Sequence, residues 1–274
     1  MRTVLSRLAL ASRSLTTSVP PLSLFQRSNP SIIRKMSSIT EPVLKQRVKL
    51  SLIQLASGSD KKANLDSAAS HVARAASLGA KIVVLPECFN SPYGTDHFPQ
   101  YAETLQPSPP SNDAAPSYHA LSAMAADNKV YLVDILSPGN KVTLVDLPEY
   151  GKIAVAICYD VRFPELATIA ARKGAFALIY PGAFNTTTGP LHWQLLALCS
   201  PARAETGYPA YGHSLVADPM AQVQVEADEK ETTVDWELDP EKITEARKNI
   251  PLNTQRRFDV YPDVSEGKIQ FEEP

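Results

Sequence analysis

From about residue 47 onward, short apolar runs rich in β-branched residues alternate with longer stretches whose apolar positions recur every three to four residues. RVKLSLIQLA (47–56), KIVVLP (81–86), KVYLV (129–133), KVTLVDL (141–147), KIAVAIC (152–158) and AFALIYP (175–181) are too short for helices and predict strands. Later strands are predicted around HSLVA (213–217), QVQVE (222–226) and TTVDWEL (232–238). The run ANLDSAASHVARAASLGA puts Leu65, Ala68, Ala69, Val72, Ala75, Ala76 and Leu78 on one helical face, with Gly79 as a stop. SYHALSAMAADNK (117–129) predicts a second helix. FPELATIAARKG (163–174) predicts a third, with Pro164 and Glu165 suited to its first turn and Gly174 closing it. DPEKITEARKNI (239–250) reads as a capped, charged helix. Short apolar strands alternating with helices argue an α/β domain with covered sheets. No internal repeat and no interdomain linker interrupts it.

The first forty residues follow none of this periodicity. They carry Arg2, Arg7, Arg13, Arg27, Arg34 and Lys35, no acidic residue before Glu41, and Ser/Thr-dense words such as SRSLTTS. That composition predicts a transit segment over residues 1–47 and a mitochondrial destination, with a disordered N-terminus as the plainer alternative. Met36 offers a second start, which would leave a cytoplasmic form. Residues 48–263 are expected to form the folded domain and 264–274 a tail.

Composition narrows the function classes. The 274 residues carry 27 basic and 29 acidic side chains; without the six basic residues of the leader, 21 face 29. An acidic body argues against nucleic acid as a partner. No apolar run approaches the roughly 18 residues that cross a bilayer, so no membrane span is expected. Three cysteines without a CxxC pair give neither a disulfide scaffold nor a zinc spacing.

Two predicted strands run into reactive residues. KIVVLP delivers Glu87 and KIAVAI delivers Cys158. Sites in α/β folds form beyond the carboxyl ends of strands, so parallel neighbouring strands would bring both side chains to one sheet edge. Cys158 turns directly into a predicted helix, whose first N–H groups lower a thiol's pKa and hold an oxyanion. A carboxylate alongside takes the thiol proton. Spacing alone leaves the alternative open: a cysteine at a strand end also serves as a small core residue, and a glutamate after proline as a turn charge.

The words VVLPECFNSPYG, GKIAVAICYDVRFPELA and YPGAFNTTTGPLHW resemble the nitrilase superfamily of carbon–nitrogen hydrolases, and within it the ω-amidase branch. The resemblance extends from about Val48 to about Asp263. It implies an αββα sandwich, no metal and no organic cofactor, a small-molecule amide substrate such as α-ketoglutaramate, and assembly into homo-oligomers. It also implies roles: Glu87 as general base, Cys158 as nucleophile, the Tyr159 backbone N–H as oxyanion donor, and Tyr93 and Phe184 as substrate-binding residues. The two aromatics read equally well as core.

One expected residue is missing. The resemblance places a catalytic lysine in a word like HRKxHLFD between the Glu87 and Cys158 words, yet KVYLV runs straight into DILSPGNKVTLVDL at Val133–Asp134. Several dozen residues look skipped there, and a second gap lies within 192–203. Part of the sheet structure is therefore expected to be absent, with an exposed sheet edge prone to association. Lys152 would lie roughly 20 Å from the thiol along its strand, Lys141 on the surface, and Lys129 at the wrong strand end. A catalytically impaired pseudoenzyme or a defective splice or gene-model product, acting at most as an oligomer partner, is the alternative this absence raises. Cys88 and Cys199 read as packing residues. His192 and His213 form no triad pattern. Asp160 and Arg162 are expected to pair, and DEKE (228–231) to be a solvated turn.

Overall fold

The computed structural model describes residues 42–105, 109–134, 141–192, 198–255, 257 and 260, all within one unit, Ile39–Pro274. The transit-like segment up to residue 41, the tail 264–274 and residues 193–197 of the second gap lie outside the described residues.

Strands run over Val48–Gln54 (β1), Ile82–Val84 (β2), Tyr131–Val133 (β3), Thr143–Leu147 (β4), Gly151–Val155 (β5), Ala175–Pro181 (β6), Leu198–Cys199 (β7), Leu215–Ala217 (β8), Val223–Glu226 (β9) and Thr232–Leu238 (β10). Helices run over Lys61–Ser77 (α1), Phe98–Tyr101 (α2), Pro116–Asn128 (α3), Pro164–Arg172 (α4), Gly189–His192 (α5), Pro240–Asn249 (α6) and Leu252–Gln255 (α7), with a 3₁₀ turn at Cys158–Arg162. Two sheets result. One has the order β10-β1-β2-β3, the other β4-β5-β6-β7-β8-β9. β1, β2 and β3 are mutually parallel, as are β5, β6 and β7.

Strand alternation builds four layers. Val48, Leu50 and Leu52 of β1 and Ile82 and Val84 of β2 face Ile153, Val155, Ile179 and Val216 of the other sheet, forming the core between sheets. The neighbouring positions Ile53, Val83 and Leu85 face Ala68, Val72 and Ala75 of α1 and Met124 of α3. Ala154 of β5 faces Ala170 of α4 on the far side. Helix, sheet, sheet, helix is the αββα order expected. The bulge between Lys152 and Ile153 resets the β5–β6 register, so Phe176 and Ala177 both reach the inter-sheet core.

Capping follows the sequence. Asp60 accepts the Ala63 N–H at 3.1 Å to start α1, and Asp239 accepts from Glu241 to start α6. Pro164 takes the first position of α4. Leu78 departs from expectation: the helix stops at Ser77, and Leu78 is exposed as its cap. Gly79 at φ +93 takes the chain away from the helix end.

The fold also begins earlier than residue 48. Leu44 is wholly buried in the inter-sheet core and bridges Gly151, while Lys45 N–H donates to the Tyr150 carbonyl at 2.9 Å. A Cβ on Gly151 would lie 2.2 Å from the Val43 carbonyl oxygen, so that glycine admits the incoming segment. One buried leucine in a polar hexapeptide leaves no periodic signal, which is why 42–47 reads as leader.

Candidate active site

β2 and β5 are not neighbours, contrary to the arrangement considered from sequence. They belong to opposite sheets. Glu87 and Cys158 nevertheless meet, because both sheets end at the same rim and a third strand closes the gap. β6, parallel to β5, ends at Pro181 and continues into Gly182 and Ala183. The Ala183 N–H donates to Glu87 Oε2 at 2.9 Å, linking the end of β6 to the end of β2 across the sandwich. The Cys158 thiol and the Glu87 carboxylate lie close enough for each to act on the other's titration. A Cβ at Gly182 would stand 3.0 Å from Cys158 Cα, so the two backbones touch there.

Cys158 opens the 3₁₀ turn at φ +37, a region costly for a residue with a side chain. The turn is fastened by the Asp160 carboxylate, which accepts the Ile157 N–H at 2.8 Å. Asp160 and Arg162 do not form the expected pair. Asp160 turns back to the backbone, and Arg162 instead places its guanidinium carbon 4.2 Å from the Tyr159 ring centroid and 4.5 Å from that of Phe184. The Tyr159 N–H lies in the first turn, where a helix leaves its N–H groups to outside partners. Its ring is exposed at the surface.

Burial dominates the electrostatics. Desolvation raises the Glu87 carboxyl above its ordinary range, against the opposing effects of the Cys158 and Ala183 hydrogen bonds. Desolvation, then the Glu87 charge, pushes the Cys158 thiol up to about 12; the Ala183 N–H and the Arg162 charge act the other way. Burial thus opposes ionisation of both members of the pair. Cys88, at φ +58 beside Glu87, is also pushed up to about 12, chiefly by burial.

Tyr93 and Tyr208 lie against each other, tilted at 45° with centroids 4.3 Å apart, and burial, Glu87 and Cys158 all raise the Tyr93 hydroxyl. Tyr208 donates to the Ala183 carbonyl at 2.6 Å and so anchors the residue whose N–H holds Glu87. Sequence reasoning missed both Tyr208 and Ala183. The first lies in a loop without periodic signal, and the second acts through its backbone alone. Phe184 is buried among Ala156, Val161, Tyr180, Leu198 and Leu215, with Cys158 packed against the cluster, and lies under Arg162; it is a core aromatic.

The remaining candidates lie apart from this pair. Lys152 is exposed 3.8 Å from Asp146, Lys141 is exposed, and Lys129 caps α3 on the surface in a left-handed conformation. Cys199 is fully buried, its sulfur near the Ile53 and Val84 carbonyls, in the packing role expected. His213 contacts Glu226 at 2.9 Å and stacks on Tyr211. Among the described residues no three His, Cys, Asp or Glu side chains gather as a metal centre requires. An open groove lined by Pro42, Lys45 and residues of α6 shares no residue with the Glu87–Cys158 site.

The profile of the family described as carbon-nitrogen hydrolase matches residues 49–137 and 133–248. The chain belongs to the carbon-nitrogen hydrolase family. Its fold is that of the nitrilase superfamily: the crystal structure of Saccharomyces cerevisiae Nit3, a member of branch 10 of that superfamily, superposes with a TM-score of 0.72 at 43% identity, covering 79% of this chain and 98% of that one. Among curated relatives, the Saccharomyces cerevisiae ω-amidase NIT3 is 43% identical over 289 residues, covering 81% of this chain and 98% of the relative. The Mus musculus ω-amidase NIT2 is 41% identical over 266 residues, covering 78% and 96%. The family match is split, and its two segments meet at 133–137. In the yeast alignment, 81% of 274 residues is about 222, so about 67 of the 289 aligned positions have no counterpart in this chain.

Proposed function

We propose that this family member hydrolyses a small carboxylate-bearing amide, of the α-ketoglutaramate type, through a thioester on Cys158. The observation that carries the reading is the end of β6, where Gly182 lies against Cys158 and the Ala183 N–H holds Glu87, so that the thiol and the carboxylate meet at one rim. The ω-amidase names of relatives at 41–43% identity support the substrate class.

The chemistry follows from the resting pair. Glu87 takes the thiol proton as Cys158 sulfur attacks the amide carbon, so the pair never needs a free thiolate in solution. The oxyanion finds donors at the start of the 3₁₀ turn, where the Tyr159 N–H points outward from the helix. Glu87 then returns its proton to the departing nitrogen as the carbon–nitrogen bond breaks, releasing ammonia. Water attacks the thioester, Glu87 takes its proton, and the proton passes back to the leaving sulfur. Tyr93 and Tyr208 form the aromatic wall beside the pair. Ammonia release from α-ketoglutaramate, absent in Cys158→Ala, with an acyl adduct on Cys158 by mass spectrometry, is the expected result. Ammonia release that survives Cys158→Ala sinks the reading.

A second reading concerns rate. The absence of a lysine-bearing HRK word favours a slowed enzyme, since the cation that acts on the thiol is Arg162. Removing one oxyanion-stabilising donor lowers rates by about 10²–10³-fold. An adduct that forms but hydrolyses slowly supports this reading; turnover at rates typical of enzymes, on the order of 10 per second, opposes it.

A further inference from the structure

We infer that Tyr208 is a positioning residue for the Glu87–Cys158 pair: its hydroxyl fixes Ala183 while its ring bears on the loop that carries Glu87. The inference deepens the amidase reading and rests on it in one respect, that Glu87 serves Cys158 as base. Glu87 follows β2 and Cys158 follows β5, strands of opposite sheets, so their separation depends on what spans the rim. Tyr208 touches both sides. Its hydroxyl donates to the Ala183 carbonyl at 2.6 Å, just past the end of β6. Its ring centroid lies 4.3 Å from that of Tyr93, on the loop that follows Glu87.

Ala183 is where that hold matters. Before it, the Gly182 N–H donates to the Cys199 carbonyl at 2.9 Å. After it, the Tyr211 N–H donates to the Phe184 carbonyl at 2.7 Å and the Thr186 N–H to the Pro209 carbonyl at 3.1 Å, around an antiparallel bridge between Asn185 and Ala210. Arg203 fastens the 210–211 side of that ladder through the Ala210 and Tyr211 carbonyls, both at 2.9 Å. Between these anchors residue 183 gives its N–H to Glu87 at 2.9 Å and its carbonyl to Tyr208. The same N–H acts on the Cys158 thiol, so a shift of this one residue is felt by both reacting groups. Burial pushes the Tyr208 hydroxyl up to about 12, which keeps it a donor while the Glu87 carboxyl titrates.

The test is a double-mutant cycle read on Cys158 in the full chain. Iodoacetamide alkylation, located by mass spectrometry, is timed in the wild type, Tyr208→Phe, Glu87→Gln and the double variant. Phe keeps a ring against Tyr93 and removes only the hydroxyl. With Glu87 present, Tyr208→Phe is expected to slow alkylation about tenfold, because reacting groups tolerate little displacement. It should also move the acid limb of the pH–rate profile to higher pH, since a carboxylate with a weakened N–H partner is harder to ionise. In Glu87→Gln the same change should cost less than about twofold. Equal costs in the two backgrounds overturn the inference, because a general loosening of the fold adds to the loss of Glu87 instead of vanishing with it. So does a rate that Tyr208→Phe leaves unchanged. Should that variant fail to fold, Tyr208→Gln, which keeps a donor on a shorter stem, enters the same cycle under the same criteria. Ammonia release from α-ketoglutaramate separates the two readings. Coupling without ammonia sinks the amidase reading alone; ammonia that Cys158→Ala abolishes, with no coupling, sinks the positioning role alone.

Discussion

Glu87 carries the conflict between stability and chemistry at its most local. Burial raises its carboxyl, so the fold favours the neutral form. That contribution to stability is fully present below the ordinary carboxylate range and is lost as pH rises through the raised value. A general base works in its ionised form, and here that form is held against the preference of its surroundings. Glu87→Gln should therefore melt at or above the wild-type temperature while losing about 10²–10⁴-fold in turnover or in Cys158 acylation. The wild-type rate should fall on the acid side at a pH above the usual carboxylate range, and the thiol, at about 12, should add no alkaline limb near neutrality. Thermal melts and a pH–rate profile check this; an acid limb at an ordinary glutamate pKa, or a strongly destabilised Gln variant, contradicts it. The identities of Glu87 and Cys158 were legible because each ends a β-rich word. Their roles were not legible from those words alone, since a strand-end cysteine carries the same local signature when it merely packs.

At the scale of elements, the site depends on where β6 ends. Gly182 lets the β6 end lie against Cys158, and the next residue supplies the N–H that orients Glu87. A methyl at 182 forces one backbone to move by a few tenths of an ångström. Gly182→Ala should lower the rate of Cys158 acylation about tenfold or more with little change in secondary structure, because catalytic geometry is intolerant of shifts that packing absorbs. Alkylation kinetics with circular dichroism measure both; an unaltered rate would show that the close approach is incidental. The loop that bears Glu87 is braced from its other side. Ser57 donates to the Phe89 carbonyl at 2.6 Å, and Asn90 donates to Ser117, which donates to Glu103, which pairs with Lys61 at 3.0 Å. Strand words and helix caps foretold most of these elements, because alternation and capping are local. The division of strands between two sheets was not foretold. β2 and β5 are buried on both faces, so each reads as a continuous apolar run that names no partner. β7 is two residues long and lies below any periodic signal.

At the scale of the molecule, the question is what lies beyond β3. Among the described residues this strand ends its sheet, and Val133, its last residue, is also where the expected lysine word is absent and where the split family match meets. β3 is therefore an edge whose outer backbone groups face away from β2, the situation that invites association with other chains. Gln54, at the end of the interior strand β1, ties the two sheets together: its amide donates to the Asp228 and Lys230 carbonyls and accepts from Ser214. Inserting between Val133 and Asp134 a segment that carries the HRKxHLFD-like word implied by the family resemblance should then do two things. It should cover the β3 edge, raising the melting temperature and narrowing the size distribution in solution to one oligomer. It should also restore the lysine-bearing word and accelerate ammonia release by at least 10²-fold, the scale of one lost transition-state donor. The two effects have separate physical origins, and sedimentation with kinetics on the same pair of proteins resolves them. A stabilised chain that remains slow would place the deficit elsewhere in the site. A chain already fast before insertion would mean that Arg162 supplies the missing charge, and Arg162→Met should then abolish turnover without altering the oligomer.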